Sequence, residues 1–341
     1  MARERERYER SRSFSQRRPK VLDNFVNQFW PNTIDGLSLG AIYALVALGY
    51  TMVYGVLRLI NFAHAEIFMV GTFASVFTIQ ALGVSEVGGL GLIGVVVLLA
   101  LVSGLVSGGS AVLLEATAYR PLRKRGASRL AALISAIGAS IFIQQLFATI
   151  GVPLLFDTSK EAGKLPVNSH FVERSNVIDL GPIQVSNDKL IIFLGAILMM
   201  IALDQFVNRT KLGRGIRSTA QDPETAVLMG VNIDRVVTAT FLVGGIMAGV
   251  AAALYIVRFE QAWYFTGFLL GIKAFTAAVL GGIGNIRGAL VGGFALGLFE
   301  AYGASIFGSG WKDVVAFSVL ILVLMFRPTG ILGESLQQAR A

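Results

Sequence analysis

Several long runs without a single charged side chain dominate this chain and restrict what it can fold into. The clearest are residues 92–114, 131–151 and 236–257. A helix rises about 1.5 Å per residue, so a run of about 20 apolar residues can cross the ~30 Å hydrocarbon core of a bilayer. Only 15% of the 341 residues are charged, far fewer than a soluble domain of this length would expose. The sequence therefore predicts an all-α polytopic membrane protein.

The apolar pattern predicts about eight or nine transmembrane helices. The candidate spans are residues 33–57, 64–83, 91–114, 130–151, 189–207, 236–257, 267–283, 288–307 and 312–327. Basic residues concentrate in the loops at 120–129 and 209–235, and positive charge favours the cytoplasmic side. Counting crossings from these loops places the C-terminus inside and the N-terminus outside. The basic tail at 1–20 favours the inside, so either this tail is translocated or part of 33–83 is re-entrant.

The composition excludes several kinds of site. The chain has no cysteine, which rules out disulfides, thiolate metal sites and cysteine nucleophiles. Its two histidines, His64 and His170, lie far apart in the sequence and form a poor metal site. No GxxxxGK[ST] phosphate-binding loop occurs. We expect no cofactor, no metal and no catalytic residue, and the net charge of +8 reflects membrane topology and contact with anionic lipid, not nucleic acid.

Residues 208–235, here called the polar segment, separate two apolar runs and carry the signals of a short helix. The helix start is indicated by a capping aspartate, a proline in the first position and an acidic residue in the first turn: Asp222, Pro223 and Glu224. Three apolar side chains and a terminating glycine follow: Ala226, Val227, Met229 and Gly230. A compact helix between two spans suits docking on a soluble partner, and an ordinary solvated loop is the alternative.

Polar residues also interrupt the apolar stretch YTMVYGVLRLINFAHAE. Polar groups at membrane depth are costly and usually face the bundle interior or a water-filled cavity. We expect Asn61, His64 and Glu66 to form a hydrogen-bonded break between two helices. This break either lines a translocation path, as a wall or gate, or is a tight interhelical turn near the cytoplasmic surface.

Lys273 lies inside an apolar run, where a lysine must snorkel, pair or meet an anionic group. One interpretation is attraction of a substrate carboxylate. The other is internal pairing, with Glu300 in the following span or with Glu260. The glycine-rich residues 281–285 are predicted to break the helix that carries Lys273.

The order and spacing of four segments resemble those of a known family. The segments are GLSLGAIYALVALGYTMVYGVLRLINFAHAEIFMVG, LISAIGASIFIQ, the loop Lys211–Arg235, and GIKAFTAAVLGGIGNIRGALVGG. From about residue 32 to 333 the chain closely resembles the LivH-type permease of branched-chain amino acid ABC importers. The resemblance implies an ABC importer permease fold in the bacterial cytoplasmic membrane. It also implies transport of branched-chain or other hydrophobic or neutral amino acids.

The same resemblance implies partners and a division of labour. A LivM-like second permease, two LivG/LivF-like ATP-binding subunits and an extracytoplasmic amino-acid-binding protein would complete the importer. Residues at about 222–231 would be the coupling helix, set into a groove of an ATPase subunit, so the chain itself is no enzyme. The expected organisation is a basic disordered tail with an interfacial segment at 1–31, a transmembrane permease domain at 32–333, and a cytoplasmic tail at 334–341.

Two departures from the family pattern are visible. Ala65 stands where the family usually has glycine, which is tolerable unless that backbone needs a positive φ, and Arg287 stands where it often has proline. Three alternatives stay open at this point. They are a urea or short-amide ABC importer permease, an ion-coupled secondary transporter with His64 and Glu66 as a proton relay, and a non-transporting membrane scaffold.

Overall fold

The computed structural model describes residues 28–156, 165–166, 170–181, 183–327 and 329–333, so most of the expected N-terminal tail and the C-terminal tail lie outside the described residues. The helices are α1 Phe29–Leu57, α2 His64–Leu82, α3 Gly89–Lys124, α4 Arg129–Phe156, α5 Asn187–Arg209, α6 Lys211–Gln221, α7 Pro223–Leu228, α8 Ile233–Phe259, α9 Thr266–Gly281, α10 Ile286–Phe307 and α11 Lys312–Phe326. The short strands are β1 Leu165–Pro166, β2 Asn176–Leu180, β3 Ile183–Ser186 and β4 Gln261–Ala262. Helices α3 and α4 each contain one π-helical turn, at Glu115–Tyr119 and Phe147–Gly151.

The prediction of eight or nine membrane helices is confirmed. Within the described ranges, eight helices are long and apolar enough to cross a membrane by length and composition, and α9 is a shorter apolar helix. The first helix begins at Phe29, so the domain boundary expected at residue 32 falls inside it. Phe29 and Trp30 lie in the first turn of this helix. The helix continues through Pro31 because proline fits the first turn, where no intrahelical N–H bond is lost.

The core of the bundle contains two helical units of the same form. Helix α1 is followed by Arg58 and α8 by Glu260, and both residues are left-handed, with φ of 53° and 51°. In each unit five residues then lead into a shorter helix, α2 or α9. The third helix is α3 in the first unit and α10 in the second. Helix α1 packs on α10 and α8 packs on α3, so the third helix of each unit lies against the first helix of the other. The two units run in opposite directions and form an inverted repeat.

Polar contacts at the two ends of the bundle give its orientation. At one end, Asp35 near the start of α1 pairs with Lys189 at 2.8 Å and Arg258 at 3.3 Å. At the other end, Arg58 donates to the carbonyl oxygen of Ala220, in the polar segment, at 2.6 Å. Because the basic loops mark the cytoplasmic side, the start of α1 lies at the outer end, in agreement with the crossing count. Both α1 and α2 are long enough to span, which disfavours the re-entrant alternative.

Small residues allow the first helix of each unit to approach the third helix of the other unit closely. A Cβ added at Gly40 of α1 would lie 2.7 Å from the carbonyl oxygen of Gly293 in α10. A Cβ added at Gly249 of α8 would overlap the carbonyl oxygen of Ser103 in α3. Lipid tails are as apolar as leucine, so helix association in a membrane depends on such close packing. Gly40 and Gly249 therefore permit the close contacts between the two units.

The outer end carries short β structure, between α4 and α5 and directly before α9. Strands β2 and β3 form an antiparallel hairpin, and β1 pairs with β4. Phe171, fully buried, packs into the core beside this structure. Because β4 precedes α9, the pairing of β1 and β4 fixes the chain just before the helix that carries Lys273.

Candidate functional site

The polar segment folds into two helices, of which α7 is the short helix predicted from the sequence. The carboxylate of Asp222 accepts from the backbone N–H groups of Glu224 at 3.0 Å and Thr225 at 3.2 Å, and Pro223 takes the first helical position. The hydroxyl of Thr225 also donates to Asp222, at 2.5 Å. This hydroxyl and the two N–H groups hold the pKa of Asp222 below its usual range. The predicted cap is confirmed, and its carboxylate stays charged at neutral pH.

The C-terminal half of α7 presents apolar side chains to the outside. Val227, Leu228 and Met229 are 54%, 85% and 80% exposed. Ala226, expected on the same surface, is instead buried against the rest of the segment, and Gly230 ends the helix with φ of 83°. Three consecutive exposed apolar residues on a polar, cytoplasmic segment indicate a contact surface for another molecule. The surface predicted from the sequence did not include Leu228, which is the most exposed of the three side chains. Its apolar side chain between Val227 and Met229 was the available signal.

Helix α6, immediately before α7, was not predicted as a separate element. The hydroxyl of Thr210 accepts from the N–H of Gly213 and caps it, and Ile216 is buried beneath it. Lys211 and Arg214 point outward on its exposed side. The capping threonine and the apolar residues at helical spacing were the available signals for this helix.

A buried carboxylate joins the cytoplasmic ends of α3 and α8 beside the polar segment. Glu115, fully buried, accepts from Arg120 at 2.8 Å and Arg123 at 3.1 Å, and from the hydroxyl of Thr238 at 3.3 Å. Arg123 also reaches Asp234, in the first turn of α8, at 2.6 Å. We call these five side chains the anchor cluster. It fixes the helix that follows α7 to the end of α3.

The predicted hydrogen-bonded break between Asn61, His64 and Glu66 is wrong in its pairing. All three side chains are buried, but they contact different helices. Asn61 accepts from the hydroxyl of Tyr119 in α3 at 2.8 Å, and Glu66 accepts from the hydroxyl of Ser140 in α4 at 3.1 Å. The reason is that α2 begins at His64, and helical residues two apart point to different faces.

Two buried polar atoms at the start of α2 have no hydrogen-bond partner among the described residues. They are Nε2 of His64 and Oε2 of Glu66. The second of these lies over the start of α9, since a Cβ added at Gly267 would be 2.9 Å from it. Unpaired polar groups inside a membrane bundle are costly and mark candidate functional positions. The first turns of α2 and α9, one from each half of the inverted repeat, therefore meet in the interior.

The crossing of α2 and α9 explains how Ala65 is accommodated. Ala65 lies within α2, in right-handed helical backbone, so this position needs no positive φ. Opposite it, α9 has Gly271, and a Cβ added there would overlap the Cβ of Ala65. The alanine is tolerated because its partner is a glycine.

We expect Gly271→Ala to destabilise the protein and Ala65→Gly to rescue it. Overpacking of a well-packed interior typically costs ~1–3 kcal/mol, and here two methyl groups would occupy one space. Thermal unfolding of the detergent-solubilised protein measures the effect, with the double variant Ala65→Gly/Gly271→Ala expected near the parent. A midpoint for Gly271→Ala equal to that of the parent would show that the crossing is not tight.

Lys273 is paired inside the protein. Its Nζ lies 2.9 Å from Oε1 of Glu300 and 2.6 Å from Oδ1 of Asp313. The hydroxyl of Tyr43, midway along α1, donates to the other oxygen of Glu300 at 2.8 Å. Of the two acids considered from the sequence, Glu300 is the partner. Glu260 lies at the outer end of α8 instead.

Nothing in the described part of the chain resembles a metal centre. No group of three or more His, Asp or Glu side chains there could hold a metal ion. His170 lies 2.5 Å from Glu260 at the outer surface, and His64 is buried near α1, so the two histidines are separate in space as well.

Similarity to known proteins identifies the family. Residues 32–324 match the family described as the branched-chain amino acid transport system / permease component. The chain belongs to this family. The permease is 44% identical over 305 residues to BraD of Pseudomonas aeruginosa, a high-affinity branched-chain amino acid transport system permease protein, covering 88% of this chain and 94% of the relative.

Further relatives support the same family over nearly the whole permease. The LivH permease protein of Escherichia coli K12 is 40% identical over 313 residues, covering 90% of this chain and 96% of that protein. The probable LivH permease of Methanocaldococcus jannaschii is 26% identical over 299 residues, covering 86% of this chain and 89% of that protein. No solved structure matches the chain.

Family and fold together define the broad role of the permease. It is a multi-pass protein of the bacterial cytoplasmic membrane and a permease component of an ABC importer. Membership in this family implies an ATPase and a solute-binding protein as partners of the permease.

Proposed function

We propose that the permease translocates branched-chain amino acids into the cell and that partner subunits hydrolyse ATP to drive it. The observation that carries this proposal is near full-length similarity to two high-affinity branched-chain amino acid permeases at 44% and 40% identity. The absence of a GxxxxGK[ST] loop from the sequence supports the division of labour. The chain then contributes a gated passage and no nucleotide site.

The proposed assembly contains a LivM-like second permease, two LivG/LivF-like ATPases and an extracytoplasmic binding protein. The polar segment, on the cytoplasmic side, would meet one of the ATPases. The outer end of the bundle, with its β hairpin, would meet the binding protein. Lipid surrounds the exposed apolar faces of α3, α4, α5 and α11, which carry many of the exposed leucine, isoleucine and phenylalanine side chains.

The proposed coupling helix is the segment from Asp222 to Gly230, which consists of α7 with its capping residue and its terminating glycine. Its exposed Leu228 and Met229 would insert into an apolar groove of the ATPase, because removing their apolar surface from water stabilises the contact. Movement of α7 would pass to α8, whose first turn is tied to α3 by Arg123 and Asp234. The anchor cluster makes this transmission rigid.

The proposed translocation path runs past the polar side chains inside the bundle. Asn61, His64 and Glu66 stand near the first turn of α2, and Lys273 stands on α9, which crosses it. Because α2 and α9 belong to opposite halves of the inverted repeat, a tilt of one half against the other changes which end of the path is open.

The alternatives from the sequence are not favoured. The high-identity relatives carry branched-chain amino acid names, which argues against a urea or short-amide permease and against a scaffold. An ion-coupled mechanism would need no docking helix for an ATPase. Competition uptake with leucine and urea in the complete transporter separates the substrates, and leucine is expected to compete alone.

Charge reversal in α7 tests the coupling role. We expect Glu224→Lys to lower ATP-driven uptake by the complete transporter by about tenfold or more. The change reverses a charge beside the proposed contact surface and puts a positive charge at the N-terminal end of the α7 dipole, where a negative charge is favoured. Folding should be little affected, since Glu224 is exposed and lies outside the membrane. The measurements are radiolabelled leucine uptake and the amount of assembled complex in proteoliposomes.

A matched variant on the neighbouring helix serves as the control. Lys211→Glu reverses an equally exposed charge in α6, in the same segment but off the proposed contact surface. It should keep most of the uptake. Uptake by Glu224→Lys at the level of the parent would contradict the assignment of α7 as the coupling helix.

A further inference from the structure

A cavity of about 290 Å³ opens into the outer half of the bundle, between α1, α8, α9 and α10. Its volume is at the lower end of the ~300–1,000 Å³ found for sites that hold small organic ligands. Tyr43 on its wall lies midway along α1, so the cavity reaches from the outer end toward the middle of the membrane. This outer cavity is separate from the unpaired polar atoms at the start of α2.

Charged groups of both signs line one side of the outer cavity. Lys273 and Glu300 are both lining residues, and their side chains are only 13% and 3% exposed. Lys312 lines it as well, and Asp313 lies 2.6 Å from Lys273. These two cations and two anions give no net charge. A ligand with a net charge would leave an uncompensated charge at membrane depth, whereas a zwitterion would not.

Apolar side chains form the rest of the lining. Leu39 of α1 and Leu269 and Leu270 of α9 face the cavity, and aromatic rings complete it at Phe259 and Trp263. An aliphatic side chain of a few carbons would bury its surface here at roughly 0.8 kcal/mol per CH₂ group. Lys273 lies one helical turn after Leu269 and Leu270 in α9, so charged and apolar lining are within reach of one small molecule.

We propose that the outer cavity binds the zwitterion of an aliphatic amino acid. Its carboxylate lies against Lys273, its ammonium group against Glu300, and its side chain among the leucines. The hydroxyl of Tyr43 holds Glu300 in place from the other side, at 2.8 Å. Ligand charges replace the direct contact between Lys273 and Glu300, so no charge is left without a partner. This inference rests on the proposed function and names the residues that recognise the substrate.

The absence of cysteine from the chain makes the proposal directly testable. Leu269→Cys introduces a single thiol on the cavity wall, at a position that is 42% exposed. The assembled transporter, in proteoliposomes without binding protein, is treated from the outer side with a thiosulfonate reagent. Leucine is expected to slow labelling by a factor of 1 + [leucine]/Kd, about tenfold at ten times its Kd.

Two analogues separate recognition of the charges from recognition of the alkyl chain. Isocaproate is leucine without the ammonium group, and isopentylamine is leucine without the carboxylate. Neither should protect at the leucine concentration that protects tenfold. The control variant Leu180→Cys lies in the outer hairpin, is 68% exposed, and should label at one rate with or without leucine. Glu300→Gln and Lys273→Gln, each combined with Leu269→Cys, should lose the protection.

Each contrary outcome has a distinct meaning. Equal protection by leucine and both analogues would overturn the assignment of Lys273 and Glu300 as charge partners. No protection by leucine, in a transporter that takes up leucine with its binding protein and ATP, would overturn the site but leave the proposed function standing. A complete transporter that takes up no branched-chain amino acid would overturn the proposed function itself.

Discussion

Replacement of Gly297 by valine is expected to prevent the bundle from assembling. A Cβ at this position in α10 would overlap the carbonyl oxygen of Gly36 and lie 2.5 Å from the Cα of Gly40, both in α1. Overpacking in a flexible core costs ~1–3 kcal/mol, but here the neighbours are backbone atoms that cannot change rotamer, so we expect a larger loss. Fluorescence-detected size-exclusion chromatography of the expressed protein should show aggregate in place of a monodisperse peak.

The matched control is Gly138→Val. Gly138 also lies inside a membrane span, in α4, and a Cβ there has open space around it. This variant should give the parent elution profile and yield. If Gly297→Val gave a monodisperse peak of normal yield and thermal stability, the close packing of α1 on α10 would be wrong.

Removal of the Glu115 carboxylate is the second change with a large expected effect. Glu115→Ala removes the buried acceptor of Arg120 and Arg123. The two arginine side chains are 35% and 25% exposed and Arg123 keeps Asp234, so we expect the loss of these charged hydrogen bonds to cost ~1–3 kcal/mol. The ends of α3 and α8 should separate, so both thermal stability and ATP-driven uptake should fall. Thermal unfolding and leucine uptake by the assembled transporter measure the two effects.

Two further variants locate the cause of that loss. Glu115→Gln keeps a hydrogen-bond acceptor of the same shape and should give an intermediate loss. Glu86→Ala removes an exposed acid at the opposite end of α3 and should change the stability by no more than ~0.5 kcal/mol, as usual for surface positions. Parent-like stability of Glu115→Ala would contradict a structural role for the anchor cluster.

The inverted repeat connects the polar segment, the helix crossing and the outer cavity. Its two halves meet where α2 crosses α9, at Ala65 and Gly271. The outer cavity lies beside α9, and the polar segment lies directly before α8, which begins the second half. A displacement of α7 at the cytoplasmic surface is therefore connected to the cavity by one continuous run of chain, α8 into α9.

Local features of the sequence predicted much of this correctly. The spans are set by the match between apolar run length and bilayer thickness, which needs no knowledge of neighbours. The cap at Asp222 and the break at 281–285 depend on residues within a few positions of each other. Gly282 and Gly284 take φ of 106° and 96°, and Asn285 accepts from the N–H of Gly288 to start α10.

Features that depend on distant segments could not be predicted in the same way. The sequence placed Asn61, His64 and Glu66 in one bonded group because they are close in the chain, but helix geometry directs them to three different neighbours. Tyr43 and Glu300 are 257 positions apart, and no local pattern indicates that they meet. The anchor cluster joins Glu115 to Thr238 in the same manner, across 123 positions.

The sequence by itself determined that this protein is a polytopic helical membrane protein with a capped helix between two spans, because hydrophobicity and capping act over one helix length. Only the tertiary structure decided that Lys273 pairs with Glu300, that Ala65 faces Gly271, and that a cavity with both charged and apolar lining lies between the helices. These contacts depend on helix packing. The faces that α1, α9 and α10 turn toward each other are set by close contact of small residues from distant segments, and no single segment determines them.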